Sequence, residues 1–263
     1  MRSSGPFGSL AALACAGAVV ATVAGGSGSA RADGEADALL DRMDRATSGA
    51  ANKVWICRMR SIGTDGEVRE GRFLMLQNGG DKRLLRFLSP ANMRNTAMLA
   101  LGKGELYVYL PDDKRVRRLG TSALNQTFLG ADFNAEDLGA VRLKDEFEAR
   151  IVQRSGNETK IELRPKHSSQ WSRVVAVVGE HDLIPRMEFY DRSGKLARTW
   201  NRTYERQKSR YEAWVPSRML MVNELSKHAT ELIVEVGDSD KPITDDIFSL
   251  RALQRGDDLR YAP

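Results

Sequence analysis

Val54-Trp55-Ile56-Cys57-Arg58-Met59-Arg60-Ser61-Ile62, then Thr64-Asp65-Gly66, then Val68 through Arg72-Phe73-Leu74-Met75-Leu76-Gln77, is the stretch that decides the fold. Two β-prone runs flank a three-residue turn that ends in glycine, the signature of a hairpin. Alternation puts Trp55, Cys57 and Met59 on one face of the first strand, and Phe73 and Met75 on one face of the second. Val54, Ile56, Leu74 and Leu76 fall on the opposite faces. Both faces are therefore apolar, and a sheet of this kind needs cover on two sides.

Outward from this hairpin the same grammar repeats. Asn78-Gly79-Gly80-Asp81 turns into a strand from Lys82 to Leu88. Leu106 to Leu110 is stopped by Pro111-Asp112-Asp113, and Lys114 to Leu119 pairs back. Further hairpins are read at Phe147–Gln153 with Lys160–Arg164, at Ile184–Asp191 with Lys195–Glu205, and at Arg218–Glu224 with Glu231–Val236. Val174 to Val178 is continuously apolar, which predicts a strand buried on both faces or a short core segment. Before the first strand, Ala36, Leu39, Leu40 and Met43 recur at helical spacing, and Thr47-Ser48-Gly49 ends that helix. The expectation is a mainly β domain, a meander of about 10–11 strands with few helices, folded as one curved antiparallel sheet or partial barrel.

The first 32 residues read as a secretory leader. Arg2 precedes an apolar run from Leu10 to Ala24, and Ala30-Arg31-Ala32 offers small residues at the positions a signal peptidase reads, with the cut after Ala32. The run is about 15 residues, short of the roughly 20 that span a bilayer. An N-terminal membrane anchor and a lipid-modified Cys15 are the alternatives; the residues around Cys15 match a lipobox poorly. Loss of the leader removes Arg2 and Arg31 and no acid, so the net charge falls from +5 to +3. That balance gives no footing for nucleic acid. The domain is then residues 33–263, with Cys57 as its one cysteine, so no internal disulfide can form. Cys57 is read as a buried structural thiol.

Catalytic patterns are sparse. The three histidines, His167, His181 and His228, sit in polar turn-like stretches and read as solvated loop residues. None belongs to a metal-ligand spacing, and neither a nucleophile elbow nor a phosphate loop is present. The acids Asp132, Glu136, Asp137, Asp145 and Glu146 cluster, but surface and helix-N-terminal acids are commoner than catalytic pairs. The most telling feature is the apolar surplus. Trp55, Met59, Phe73 and Met75, with Phe87, Met98, Tyr107 and Tyr109, are the candidate lining of an apolar cavity, where the softness of methionine suits adaptable ligands. Residues 122–138 interrupt the β pattern; Leu124, Phe128, Leu129 and Phe133 make this segment a candidate lid, hinged at Gly130. Lys114-Arg115-Val116-Arg117-Arg118 is either an edge-protecting charged strand or, through Arg115 and Arg117, a contact for an anionic partner.

Tyr107-Val108-Tyr109-Leu110-Pro111 followed by Lys114–Arg118, the block Phe128-Leu129-Gly130-Ala131-Asp132-Phe133-Asn134-Ala135-Glu136-Asp137-Leu138, and the later Trp214–Met219 and Asp246–Leu250 resemble the outer-membrane lipoprotein-sorting protein family, a branch related to the periplasmic lipoprotein carriers of the LolA type. The resemblance spans roughly residues 35–252. It implies a strongly curved, half-open antiparallel sheet, a half-barrel with helices over its concave side. It also implies an apolar cavity for acyl chains, and transfer of lipid or lipoprotein between membranes near an inner-membrane transporter. It brings no cofactor, metal or catalytic residue. A monomeric, non-enzymatic periplasmic carrier is therefore the expectation. An adaptor docking on an envelope transporter is the second reading, and a hydrolase with convergent polar groups in a cleft is the third.

The leader reading has a direct check. Terminal sequencing of the exported protein should start at Asp33 or within a few residues of it; a mature form that keeps residues 1–32 or carries acyl on Cys15 would overturn it.

Overall fold

The computed structural model describes residues 27–48, 52–78, 82–102, 105–120, 131–133, 137, 142–167, 169–207 and 214–262. A helix, α1 (Ser27–Ser48), starts ahead of the expected cut and precedes all the strands. The strands are β1 (Asn52–Ile62), β2 (Val68–Asn78), β3 (Lys82–Ser89), β4 (Ala97–Ala100), β5 (Leu106–Leu110), β6 (Arg115–Arg118), β7 (Phe147–Ser155), β8 (Glu158–Pro165), β9 (Trp171–Val178), β10 (Arg186–Asp191), β11 (Leu196–Arg206), β12 (Trp214–Asn223) and β13 (Ala229–Asp238). One helical turn, α2 (Leu143–Glu146), comes before β7, and α3 (Leu250–Arg255) follows β13.

All thirteen strands form one sheet in the order β6-β5-β4-β3-β2-β1-β13-β12-β11-β10-β9-β8-β7. Every neighbour is consecutive in sequence except one pair, β1 with β13. Two meanders, β1–β6 and β7–β13, are thus zipped together along their first and last strands, from Val54 opposite Asp238 to Ile62 opposite Ala229. Turns match their sequence signals: Gly66, Gly156 and Gly194 all take positive φ, which a side chain would strain.

The expected half-barrel of 10–11 strands is corrected. The sheet is open and has thirteen strands, with β6 and β7 as its two edges. Nor do the helices share one side. From α1, Leu39, Leu40 and Met43 pack on Ile161, Leu163, Val174, Ala176 and Met187 of the second meander. From α3 and its flanking turns, Ile247, Phe248, Ala252, Leu253 and Tyr261 pack on Val54, Ile56, Leu74, Leu76 and Leu84. The physical reason is the double-sided apolar character of β1 and β2, which demands a second cover. Strand β9 is corrected as well: Val174, Ala176 and Val178 are buried while Val175 and Val177 are only half-buried, so it has one core face. Edge β6 is guarded by the exposed Arg115, Arg117 and Arg118, whose charge discourages pairing with a further strand.

The C-terminal cover is locked by an ion pair inside the core. Arg86 on β3 and Asp258 are both fully buried, with Nε donating to Oδ2 at 2.6 Å. The rest of the guanidinium donates to the carbonyls of Asn95 at 2.9 Å and Leu253 at 2.5 Å. Ser249 caps α3 by accepting from the Ala252 amide, and Gly256 ends the helix in the left-handed region. Removing one member of such a pair strands a charge in the core, which costs about 3–5 kcal/mol. Asp258→Ala should lower the urea-unfolding free energy by that amount, whereas the double replacement Arg86→Leu with Asp258→Leu should cost clearly less. Equal losses for the single and double variants would show that the pair does not hold the tail.

Candidate ligand-binding face

Alternation along β1 sends Trp55, Cys57 and Met59 to the face that the C-terminal tail does not cover. Register then assembles rows across the first meander. Trp55 lies opposite Met75, Met75 opposite Leu85, and Leu85 opposite Met98. Cys57 lies opposite Phe73 and Phe73 opposite Phe87, the two rings 5.7 Å apart and tilted. On the other side of β1, Cys57 faces Val234 and Met59 faces Leu232, which in turn faces Met219. Space beside Met59 is tight: a Cβ on Gly71 would stand 3.0 Å from the Ser89 carbonyl oxygen.

Six of the eight expected lining residues, Trp55, Met59, Phe73, Met75, Phe87 and Met98, are buried together in this cluster. Tyr107 and Tyr109 are not with them. Their register against Leu99 and Ala97 turns them to the opposite face, where they pack at the margin of the tail-covered cluster. Arg117 is opposite Val108, and Val108 opposite Met98, so Arg115 and Arg117 lie on the face of Met98 but out at the sheet edge. Arg117 there pairs with Asp113 at 2.5 Å. Of the candidate lid, Leu124, Phe128, Leu129 and the hinge Gly130 lie outside the described residues. Phe133 is described: it is buried in the apolar cluster and meets Trp200 edge-on at 5.5 Å.

Charged groups missed in the sequence border the patch. Lys53 and Arg83 are in phase with Trp55 and Leu85, and register forms the row Lys53–Gln77–Arg83. Lys53 is 5% exposed, with Nζ 5.4 Å from the Trp55 ring centroid. Burial, then the charge of Arg83, pushes the Lys53 ammonium down to about 7. Burial, then Arg202, pushes the Arg83 guanidinium down to about 10. Arg202 of β11 stacks 3.6 Å over the Trp200 ring. The Cys57 thiol is pushed up, by burial first and by Glu235 second. The signal for Lys53 and Arg83 was their period-two phase with apolar neighbours.

At the far end of β1, polar groups converge around a histidine that reads as a solvated loop residue in the sequence. His228 Nδ1 lies 2.6 Å from Asp132 Oδ2, and its Nε2 lies 3.0 Å from Ser61 Oγ. Thr230 Oγ1 donates to Asp132 Oδ2 at 2.8 Å and accepts from the Asp132 amide at 2.9 Å. The order Ser–His–Asp is that of a nucleophile relay. Ser61, however, lies within a strand paired on both sides, with Arg69 and Thr230 opposite it. Backbone amides there serve the ladders, so they are not gathered around Oγ as an oxyanion site requires. What the network does is fasten residues 131–133 to the sheet and hold Phe133 on the apolar face. No linear signal could join Asp132 to His228 across 96 residues.

A separate cavity of about 560 Å³ opens at the loop end of the second meander, among Gln170, Trp171, Asp191, Arg192, Arg198 and Asn223. Its walls mix polar and apolar groups, and none of the eight expected lining residues borders it. Arg198 there pairs with Asp137 at 3.0 Å with both side chains buried. Among the described residues no cluster of His, Cys, Asp or Glu could hold a metal ion, and no helix is long and apolar enough to cross a membrane.

A family model with the description "Uncharacterized protein" matches residues 79–255. No curated protein matches the chain. Among solved structures, the chain is similar to a candidate outer membrane lipoprotein-sorting protein domain from Vibrio parahaemolyticus, at TM-score 0.76 and 22% identity over 85% of this chain and 100% of that one. A DUF1329 family protein from Desulfovibrio piger matches at TM-score 0.76 and 22% identity, over 84% and 99%. A LolA superfamily protein from Nitrosomonas europaea matches at TM-score 0.69 and 20% identity, over 82% and 98%. At these identities the likeness establishes the fold, and the fold is LolA-like.

The buried lysine has a measurable signature. Its folded value lies below the ordinary lysine value of 10.5. The unfolded chain therefore holds the proton more tightly, and this group's contribution to stability rises with pH from about 7 upward. Cys57 acts in the opposite sense once its ordinary value of 9.0 is approached, so the useful window is roughly pH 6.5 to 8.5. Over that window the unfolding free energy of the native chain should gain on that of Lys53→Met by on the order of 1 kcal/mol. Parallel pH profiles for the two proteins would contradict the assignment.

Proposed function

The chain belongs to the family whose model matches residues 79–255, and on that premise we propose that it is an exported periplasmic carrier that shelters acyl chains of a lipid or lipoprotein during transfer toward the outer membrane. The observation that carries this reading is the cluster of Trp55, Met59, Phe73, Met75, Phe87 and Met98 on the sheet face opposite the C-terminal tail. An acyl chain gains about 0.8 kcal/mol for each CH₂ taken out of water, so crossing an aqueous space requires an apolar shelter. Methionine-rich walls adapt to chains of differing length and kink better than branched side chains do. The LolA-like fold agrees with this reading, as does the leader expected over residues 1–32. An inner-membrane transporter is the natural donor partner, and the protein acts without a cofactor and without chemical turnover.

The test pairs fold with binding. Phe73→Ala in a close-packed core would cost about 3–5 kcal/mol; at the wall of a ligand space the loss should be much smaller. Met75→Glu should leave the domain folded and weaken a fluorescent acyl probe at least tenfold. If both variants unfold, the face is solid core and the carrier loses its site. If both stay folded and bind the probe normally, the ligand is held elsewhere.

A further inference from the structure

We propose that the cavity at the loop end of the second meander is a saccharide-binding site, built by Gln170, Asp191, Asn223 and Arg198 beside the indole of Trp171. It stands apart from the acyl-chain reading and does not depend on it.

Register brings these residues together. Trp171, the first residue of β9, lies opposite Asp191, the last of β10, and Arg198 of β11 lies between Phe189 and Asn223. The space among them is about 560 Å³, within the roughly 300–1,000 Å³ of small-molecule sites. Its polar walls are set before any ligand arrives. Asp191 Oδ1 accepts from the Ser193 amide at 2.9 Å, the Ser193 hydroxyl at 2.6 Å and the Lys195 amide at 3.0 Å. Asn223 Oδ1 accepts from the Leu225 and Ser226 amides, both at 3.0 Å. These bonds orient both side chains and engage one atom of each. The second Asp191 oxygen, an acceptor, and the Asn223 NH₂, a donor, take no part in them.

One polar group on the wall is unmet. Gln170 borders the cavity, and its Nε2 is buried without a hydrogen-bond acceptor. A buried donor left unmade costs free energy, and native proteins seldom keep one. An oxygen of a bound molecule supplies what this amide lacks.

Charge argues against an ion as that molecule. Arg198 is paired with Asp137 at 3.0 Å, and both side chains are buried. Arg192, the other cation of the lining, gives Nε and Nη2 to the Ser169 carbonyl and sits next to Asp191 in the chain. Two cations thus stand beside two carboxylates, with no excess of either sign to hold a phosphate or an ammonium. A neutral polyol suits the set, because each hydroxyl donates and accepts and can serve Asp191 and an amide at once. Trp171, Ala197 and Leu225 add apolar wall for the C–H side of a sugar ring. The Arg198 guanidinium lies 5.0 Å from the Trp171 ring centroid and steadies the indole.

The experiment is saturation-transfer NMR on the full exported protein with methyl glucoside, methyl galactoside, methyl mannoside and N-acetylglucosamine, with calorimetric titration of inorganic phosphate beside them. At least one sugar should bind, and phosphate should not. Gln170→Met, which keeps the bulk and removes the amide, should weaken that sugar at least fivefold with no loss of thermal stability. Asp191→Asn keeps an oxygen for the turn amides; it should weaken the sugar as much, and covers the case in which Gln170→Met fails to fold. A free glycan and the head of a glycolipid share this chemistry, and the octyl glycoside of the sugar that binds separates them. Octyl binding at least tenfold tighter than the simple sugar supports the site with a glycolipid head as its source; equal affinity supports it with a soluble glycan. Silence with all four sugars overturns the site, and so does sugar binding that both variants leave intact. Phosphate bound in place of sugar makes it an anion site and overturns the proposal as well.

Discussion

The pairing of β1 with β13 is the interaction on which everything else depends. All other strand pairs are between chain neighbours and can form locally; this one joins the first strand to the last. Without it the molecule is two separate meanders, each with one more raw edge. With it, Cys57 and Met59 acquire Val234 and Leu232 beside them, and the apolar face becomes continuous from β4 to β12. Glu235 is the extra residue where this ladder slips register, between the pairs Ile56–Val236 and Cys57–Val234. Such a bulge sharpens the local twist.

A second dependence follows from the composition of the central strands. Because β1 and β2 are apolar on both faces, one face can be committed to the C-terminal tail while the other gathers the buried cluster of Trp55, Met59, Phe73 and Met75. Arg86 and Asp258 make the first commitment firm through geometry: hydrophobic contact alone would let a short helix slide, whereas a buried guanidinium with three anchored partners fixes its position. The polar network around His228 acts on the other side at shorter reach, tying down residues 131–133 and with them Phe133. One face is closed by design and the other is edged by polar fastenings.

Much of this was legible in the sequence because hairpin grammar is local. Glycines at Gly66, Gly156 and Gly194 marked turns, and most strand segments were readable from β-rich runs between breakers. The four-residue strand Ala97–Ala100 escaped, since two alanines in so short a run carry almost no strand signal. Overall curvature and the placement of helices escaped for a different reason: period-two alternation says which residues share a face but not how the face bends or what lies on it. The side taken by Tyr107 and Tyr109 depended on β4–β5 register, which a single residue of slip inverts. Lys53 and Arg202 carry no local signal of the indoles they lie against, Trp55 and Trp200, and Asp132 and His228 meet only in three dimensions.

The closing ladder also dictates a history for the chain. Synthesis runs from the N-terminus, so β1 emerges long before its second partner; Ser61 and His228, which end up in contact, are 167 residues apart. Through that interval the most apolar strands of the protein present an unpaired margin to whatever surrounds them, the condition in which chains associate wrongly. A protein wired in this order is most open to wrong association while β13 is still unmade, so its yield depends on that interval as well as on the stability of the finished sheet.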